Sequence, residues 1–150
     1  QPIPGARGGP DRPDKPCPRA GGENLFDGRS AEGFRKRDKL FVKAGHLVVG
    51  ELAETVQGWS DVEIEGEIIA EAGVKLQVGV RGEWVAKTNL TKGRHRIFVR
   101  AAGPFVEVLI DDKHLKLETS PPAEANGPFK LKVDGGVIRI SELRARMPPK

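Results

Sequence analysis

Apolar and polar residues alternate along most of the chain from Leu40 onwards. The run SDVEIEGEII (60–69) is apolar at nearly every second position, and GVKLQVGV (73–80) and GRHRIFVRA (93–101) repeat the pattern. Alternation with a period of two residues is typical of a β-strand that buries one face and exposes the other. These runs therefore predict three strands, each with a polar outer face.

Shorter alternating runs, separated by turn residues, predict six further strands. KLFVKAGHLVV (39–49) contains two strands about a turn at Ala44-Gly45, and residues 105–110 and 114–118 form a hairpin around Asp111-Asp112-Lys113. Two closing strands flank Asp134-Gly135-Gly136, a strong turn sequence. No window shows clear helical periodicity. We therefore predict an all-β fold, an antiparallel two-sheet sandwich of the jelly-roll type.

The N-terminal segment has a different composition. It contains six prolines between Pro2 and Pro18, is rich in glycine and has almost no apolar side chains. Such a segment favours coil or polyproline II over helix or sheet. We predict an extended arm at residues 1–23 and a β-sandwich at 24–147. An extended arm can lie along a partner, and its candidate partner-binding residues are Pro2, Ile3, Pro4, Arg7, Arg12, Pro16 and Cys17.

The charge composition argues against nucleic-acid binding. Charged residues make up 31% of the chain, but the net charge is only +4, so the surface is mixed in sign. Nucleic-acid binding needs a concentrated basic face with stacking aromatic residues. The chain has no Tyr, and its six Phe lie mostly in alternating apolar runs. A run of 18 or more apolar residues, as a transmembrane helix requires, is also absent from the sequence.

Cys17 and Gln1 bear on the compartment. Cys17 is the only cysteine, so no internal disulfide can form, and its thiol could stay free, carry a lipid or pair with another chain. The chain begins at Gln1 and not at Met. Removal of a secretory signal would explain this, so we expect an exported protein, periplasmic or at the cell surface.

Five segments together resemble the 3-keto-disaccharide (3-keto-glycoside) hydrolase-type domains of the concanavalin A-like jelly-roll superfamily. They are, in order, LFDGRSAEGF (25–34), FVKAGHLVV (41–49), WSDVEIEGEI (59–68), KGRHRIFVRAAGPFVEVLIDDKHL (92–115) and NGPFKLKVDGGVIRISELRAR (126–146). The resemblance covers roughly residues 24–146. It implies a concanavalin A/laminin G-like jelly roll and, in complete family members, hydrolysis of oxidised glycosides in a concave pocket.

The chain departs from that family where the family builds its pocket. VKLQVGVRG (74–82) stands where the resemblance implies an Asn-Ser-Gly-Ile strand that ends in an arginine; Arg81 matches the arginine, but the Asn-Ser pair is missing. The long insertion that follows in the family is also missing. The sequence therefore predicts the scaffold without its active site, and we name no catalytic residue.

Three glutamates, Glu63, Glu65 and Glu67, share one strand face. Steps of two residues place neighbours about 6–7 Å apart, a row that could line a sugar cleft but is more often a solvated sheet face. An arginine row on a neighbouring strand would pair with them. That row comprises Arg94, Arg96 and Arg100.

The histidines and turn aspartates do not suggest a metal site or a cofactor. His46, His95 and His114 lie on separate strands without ligand spacing. His95 shares a face with apolar residues, so a partly buried histidine with satisfied hydrogen bonds is the better interpretation. Asp111-Asp112 is more simply a turn than a calcium loop, because calcium requires six or more oxygens.

Sugar binding without catalysis would need aromatic side chains on the surface. Trp59 precedes a strand at a position that favours packing between the sheets. Trp84, close to a turn, could be exposed and is, with Arg81, a candidate contact to a sugar or a protein.

Three functions fit these observations. The first is a non-catalytic structural or interaction module, an exported accessory subunit that docks through its arm on a larger protein complex, with membrane association left open. The second is a carbohydrate-binding jelly roll. The third is a hydrolase acting on 3-keto-glycosides. The sequence favours the first, so an enzyme is the weaker expectation.

Overall fold

Two antiparallel β-sheets pack face to face in this protein, whose computed structural model describes residues 23–148. Within that range the regular structure is all β-strand. In chain order the strands are β1 (Glu23–Phe26), β2 (Leu40–Lys43), β3 (His46–Val49), β4 (Leu52–Trp59), β5 (Val62–Ala70), β6 (Val74–Val80), β7 (Glu83–Leu90), β8 (Gly93–Ala102), β9 (Phe105–Ile110), β10 (Lys113–His114), β11 (Gly127–Asp134) and β12 (Ile138–Arg146).

The larger sheet has eight strands, with β5, β8 and β12 at its centre. Its order is β10-β9-β8-β5-β12-β3-β2, and β1 pairs with β12 beyond the end of β3. A bulge between Ile140 and Glu142 interrupts the β5–β12 ladder. Gly66 lies opposite Leu143, next to this bulge, where a Cβ atom would collide with the backbone oxygen of Glu142. Only glycine therefore fits at this point of β5.

The smaller sheet has four strands in the order β4-β11-β6-β7. Its inner face, with that of the larger sheet, encloses a single apolar core. Each large aliphatic side chain removed from water in this way contributes about 1.5–3 kcal/mol to stability. The largest fully buried side chains are Phe26, Phe129, Leu47, Ile64, Ile68, Leu76, Ile97, Leu131, Ile138, Ile140, Leu143 and Val49.

The predicted jelly-roll sandwich is confirmed, and the strand count is corrected from nine to twelve. All nine predicted strands are present, but the one predicted at 114–118 shortens to Lys113–His114. The three strands that the sequence did not reveal are β1, β4 and β7. Among the described residues, no helix is long and apolar enough to cross a membrane.

The predicted turns at Ala44-Gly45 and Asp111-Asp112 are also confirmed. Ala44 and Gly45 have positive φ angles of 53° and 79°, and Asp111 and Asp112 have 53° and 66°. Two consecutive residues with positive φ are typical of the tight hairpin turn whose twist matches that of the flanking strands. Asp111-Asp112 therefore joins β9 to β10 as a turn.

Candidate functional site

The outer face of the larger sheet carries the glutamate row. Glu63, Glu65 and Glu67 lie on β5 and face outwards between β8 and β12. Glu63 is only 5% exposed. It accepts a hydrogen bond of 2.7 Å from Nε of Arg146 and lies 3.4 Å from Nε of Arg100. This carboxylate is therefore held between arginines of both neighbouring strands.

The other two glutamates are paired in the same way. Glu65 lies 3.6 Å from the guanidinium of Arg96 and 3.6 Å from that of Arg144. Glu67 accepts hydrogen bonds from Arg94 (2.6 Å) and from the hydroxyl of Ser141 (2.7 Å). The predicted pairing with the arginines of β8 is confirmed, and β12 adds further arginines that the sequence analysis did not anticipate.

This pairing bears directly on catalysis. A carboxylate that acts as nucleophile or as general acid and base must reach a substrate and exchange a proton with it. All three carboxylates of the row are already engaged by guanidinium groups on the same face. The geometry is that of a cross-strand charge ladder, which stabilises a sheet by a few tenths to about 1 kcal/mol per pair.

His95 is partly buried and fully hydrogen-bonded, as predicted. Its Nδ1 lies 2.7 Å from the Asp111 carboxylate and its Nε2 lies 2.8 Å from the Thr91 carbonyl oxygen. Both partners are acceptors, so both ring nitrogens donate, as in the imidazolium form. Burial works to lower the pKa of His95, but the bonds to Asp111 and Thr91 and the charge of Asp111 outweigh it, so the pKa is raised.

The pKa of Asp111 is shifted in the opposite direction to that of His95. Burial works to raise the pKa of its carboxyl group, but hydrogen bonds from His95 and from the Arg96 amide, with the charges of His95 and Lys113, leave it lowered. The pair therefore ties the β9–β10 turn to β8. Among residues 23–148, no group of three or more His, Cys, Asp or Glu side chains is placed to hold a metal ion.

Arg81, a candidate contact residue in the sequence analysis, lies inside the protein. The residue is 2% exposed and has a φ of 59° at the β6–β7 turn. Its Nε donates to the Ser60 carbonyl oxygen at 2.6 Å, and one terminal nitrogen donates to Gly103 at 2.8 Å and to the Asp61 carboxylate at 3.2 Å. In this structure the guanidinium donates to partners inside the protein. Its role as a contact residue for a sugar or a protein stays a prediction.

The other terminal nitrogen of Arg81 completes this set of contacts. It lies 3.4 Å from the Pro121 carbonyl oxygen and 3.3 Å from that of Pro122. The guanidinium thus joins the β6–β7 turn to the segment before β5, to the β8–β9 turn and to the loop before β11. It fixes the end of the sandwich next to Trp84.

Trp84, the other candidate contact, lies at the start of β7 on the outer face of the smaller sheet. It pairs with Gly79 of β6, whose neighbour on β11 is Lys130. The Lys130 ammonium lies over the indole ring, 4.4 Å from its centroid. Trp84 is partly exposed, whereas Trp59 is 8% exposed and packs in the core as predicted.

On β6, β7 and β11 the rest of this face is polar and mostly basic, whereas edge strand β4 adds Leu52 and Val56. The outward side chains come from alternate positions of β6, β7 and β11, because the residues between them point into the core. They include Lys75, Gln77, Lys87, Asn89, Lys130 and Lys132. A hollow of about 580 Å³ lies at the Lys75 end, lined by residues of β6 and β7 and the β11–β12 turn. We define the lysine face as Trp84 together with Lys75, Gln77, Lys87, Asn89, Lys130 and Lys132.

The sequence analysis identified Trp84 but missed the lysines around it. Alternation in residues 74–80 and 129–133 could have placed Lys75, Lys130 and Lys132 on outer faces. It could not show that β6 and β11 are neighbours. The predicted contacts of the arm, at Pro2, Ile3, Pro4, Arg7, Arg12, Pro16 and Cys17, lie outside the described residues.

Comparison with known proteins identifies structures of similar fold. No protein-family model and no curated protein matches the sequence. The chain is similar to two structures from Parabacteroides distasonis ATCC 8503 that are provisionally assigned as glycosyl hydrolases. One matches with a TM-score of 0.66 at 13% identity, over 85% of this chain and 99% of that one. The other matches with a TM-score of 0.65 at 10% identity, over 87% and 95%.

A third similar structure is a carbohydrate-binding module, CBM66 of Bacillus subtilis. It matches with a TM-score of 0.50 at 10% identity, over 84% of this chain and 95% of that one. Identities this low show the fold and not the activity. The chain therefore has the jelly-roll fold that glycosyl hydrolase-like proteins and a carbohydrate-binding module also use.

Proposed function

We propose that this protein is a non-catalytic carbohydrate-binding module and that the lysine face is its binding surface. The observation that carries the proposal is the contrast between the two outer faces. On the larger sheet, arginines engage Glu63, Glu65 and Glu67. On the smaller sheet, an aromatic ring and several polar side chains lie together on an open face.

The similar structures support this proposal at the level of the fold. A carbohydrate-binding module and two proteins assigned as glycosyl hydrolases share the architecture of this chain. Carbohydrate sites combine apolar ring surface with a few polar groups that fix orientation. Trp84 supplies the ring, and Gln77 and Asn89 supply amide groups on adjacent strands.

Replacing Trp84 tests the proposal. The variant Trp84→Ala removes the ring surface and also the support for the Lys130 ammonium, so we expect at least a tenfold loss of affinity, about 1.4 kcal/mol. Binding of the full chain to a glycan array identifies the ligand, and isothermal titration then gives the affinities. Circular dichroism checks that the variant is folded.

Phe41→Ala is the matched control, because Phe41 is an exposed aromatic residue on the edge strand of the larger sheet. Its affinity should stay within twofold of the wild type. Equal losses in both variants, or unchanged binding in Trp84→Ala, would place the site elsewhere. Absence of binding to any glycan would contradict the proposal.

Membership of the 3-keto-disaccharide hydrolase-type domains stays a prediction from the sequence. The same preparations should be incubated with 3-keto-glycosides and with each glycan that binds. We expect no release of sugar, since Glu63, Glu65 and Glu67 are each paired with an arginine. Turnover by the wild type would contradict the non-catalytic part of the proposal, and its loss in Glu65→Gln would place the activity on the glutamate row.

Docking on a larger complex is the second candidate function. The observation that favours it is the proline- and glycine-rich composition of residues 1–23. Glycan binding by the lysine face and docking by the arm are compatible, because they use different parts of the chain.

A further inference from the structure

The register of the smaller sheet arranges the lysine face in three rows. One row runs from Lys130 through Gly79 to Trp84, and a second runs from Lys132 through Gln77 to Lys87. The third row consists of Asp134, Lys75 and Asn89. Neighbouring strands lie about 4.8 Å apart, and two residues along a strand advance about 6–7 Å. The lysines therefore form a grid, each within reach of the same extended ligand.

These lysines lack the partners that the arginines of the other face have. Within residues 23–148, no carboxylate lies within 4.0 Å of the ammonium group of Lys75, Lys130 or Lys132. Lys87 contacts Glu118 at 3.5 Å, but both side chains are mostly exposed and such pairs are weak. Glu54, on edge strand β4, lies opposite Lys130 in the register, but its carboxylate pairs with Arg35 and Arg37. Glu83 at the start of β7 and Asp134 at the end of β11 lie at the ends of the face.

Gly79 has a specific part in this arrangement. A Cβ atom at this position would come within 2.7 Å of Cγ and 2.9 Å of Cε of Lys130. The lysine stem therefore lies across the bare backbone of β6, which carries the ammonium to the Trp84 ring at 4.4 Å. Cation–π contacts of this kind hold a lysine over an aromatic face.

This placement discriminates between ligands. A neutral sugar that stacks on the face of Trp84 must first displace the ammonium group of Lys130. A sugar with an anionic group can instead bind to the ammonium group where it already lies. The unneutralised lysines of the next two rows continue the same preference along the face.

We propose that the ligand of the lysine face is an anionic polysaccharide, one that carries carboxylate or sulfate groups. This inference rests on the proposed carbohydrate-binding function. Acidic groups along the polysaccharide contact Lys130, Lys132, Lys87 and Lys75. The hollow beside Lys75 receives the end of the polysaccharide that lies farthest from Trp84. β6 spans Val74–Val80, which gives the track a length of about 20 Å.

A nucleic acid fits this face less well. Proteins that bind single strands stack successive bases on several aromatic side chains. The lysine face offers one aromatic ring, Trp84, and its other outward groups are mainly lysines and amides, with Asp134 at one end. A single ring followed by amides in the next two rows matches a glycan better than a row of bases.

Two matched pairs of polysaccharides test the inference on the full chain. Polygalacturonate against its methyl ester tests carboxylates, and dextran sulfate against dextran tests sulfates. We expect at least tenfold tighter binding to one or both anionic members. Affinity should fall steeply between 50 and 300 mM salt, because lysine contacts to a polyanion release counterions.

The double variant Lys130→Gln/Lys132→Gln should lose at least tenfold in that affinity and show a shallower salt dependence. The control Lys43→Gln/Lys113→Gln removes the same charge from exposed ends of the larger sheet and should change affinity less than twofold. Equal losses in the two double variants would show a general charge effect and overturn the inference. Equally tight binding to duplex DNA would overturn the assignment to a glycan.

The failures of the two proposals are distinguishable. Equal binding of neutral and charged members, without salt dependence, would overturn the anionic ligand and leave a carbohydrate-binding module. Binding to no polysaccharide in the set or on the array would overturn both. Binding to polygalacturonate alone or to dextran sulfate alone would support the inference and identify the acidic group.

Discussion

Arg81 shows how one buried charge organises the end of the sandwich next to the lysine face. Its guanidinium is enclosed and donates to backbone carbonyl oxygens from three separate segments and to the Asp61 carboxylate. Asp61 also accepts from the Gly103 amide at 3.1 Å. Arginine suits this position, because its planar guanidinium presents five donors in a fixed geometry, which lysine cannot reproduce.

The variant Arg81→Met should therefore be strongly destabilised. It leaves buried carbonyl oxygens without donors, so we expect the free energy of unfolding to fall by about 3 kcal/mol or more. Urea unfolding followed by tryptophan fluorescence measures it. Arg96→Met, which removes an exposed arginine of the charge ladder, is the control and should cost about 1 kcal/mol or less. A loss in Arg81→Met no larger than in the control would show that the contacts of Arg81 contribute little.

At the scale of elements, the hairpin of β9 and β10 depends on one ion pair. β10 has only two residues, which gives it few ladder hydrogen bonds. Asp111 compensates for this: one carboxylate oxygen accepts from the Arg96 amide at 2.9 Å and the other lies 2.7 Å from His95. The turn is thereby tied to β8 as well as to its own strands.

The shifts of the two pKa values set the pH range in which this pair stabilises the fold. The pKa of His95 is raised, so its contribution is complete below its ordinary value of about 6.5 and is lost as the pH rises through the folded value. The pKa of Asp111 is lowered, so its contribution is present above its ordinary value of about 3.9 and is lost as the pH falls through the folded value. The pair is strongest between these two ordinary values.

Asp111→Asn tests this prediction, because asparagine tolerates the positive φ and removes the charge. The difference in unfolding free energy from the wild type should be largest near pH 5–6 and shrink above neutral pH. Asp111 is 46% exposed, so solvent screening limits the difference to about 1 kcal/mol. Asp112→Asn, in the same turn, leaves the contact between Asp111 and His95 in place and is the control. A difference that stays constant from pH 5 to 9 would contradict the role of His95.

The three strands that were not predicted, β1, β4 and β7, lack a clear alternation of apolar and polar residues. β4 buries Ala53 and Thr55, and the Thr55 hydroxyl is satisfied by the Gln57 carbonyl and the Phe129 amide, so its inner face does not look apolar. In β7 a bulge opposite Val78 and Gly79 interrupts the period. β1 buries the consecutive residues Leu25 and Phe26. Tertiary contacts make these segments strands, and no local pattern records them.

At the scale of the whole molecule, the two outer faces differ in how their charges are compensated. The larger sheet pairs glutamates with arginines across β8, β5 and β12, and opposite charges at alternating positions predicted part of this ladder from the sequence. The lysine face could not be predicted in the same way. Lys75 and Lys130 are 55 positions apart in the sequence, and only the pairing of β6 with β11 brings them together.

The arm is predicted to lie outside the folding unit. Every residue of the described core lies between Leu25 and Ala145, and all twelve described strands lie within residues 23–146. A chain that lacks residues 1–22 should therefore keep its free energy of unfolding within about 0.5 kcal/mol of the full chain. Urea unfolding of the two chains measures this. A larger loss would show that the segment belongs to the folded domain.

The same two chains test whether the arm docks. If residues of the arm bind a larger complex, the full chain should co-purify with it from the source organism, and native mass determination should show the shortened chain alone. Cys17→Ser in the full chain separates the contribution of the thiol, through a disulfide or a lipid, from that of the other residues of the arm. Should both chains run as free monomers, the docking prediction would be wrong. Glycan binding, which uses the lysine face, should be equal in both, because the two functions depend on separate parts of the molecule.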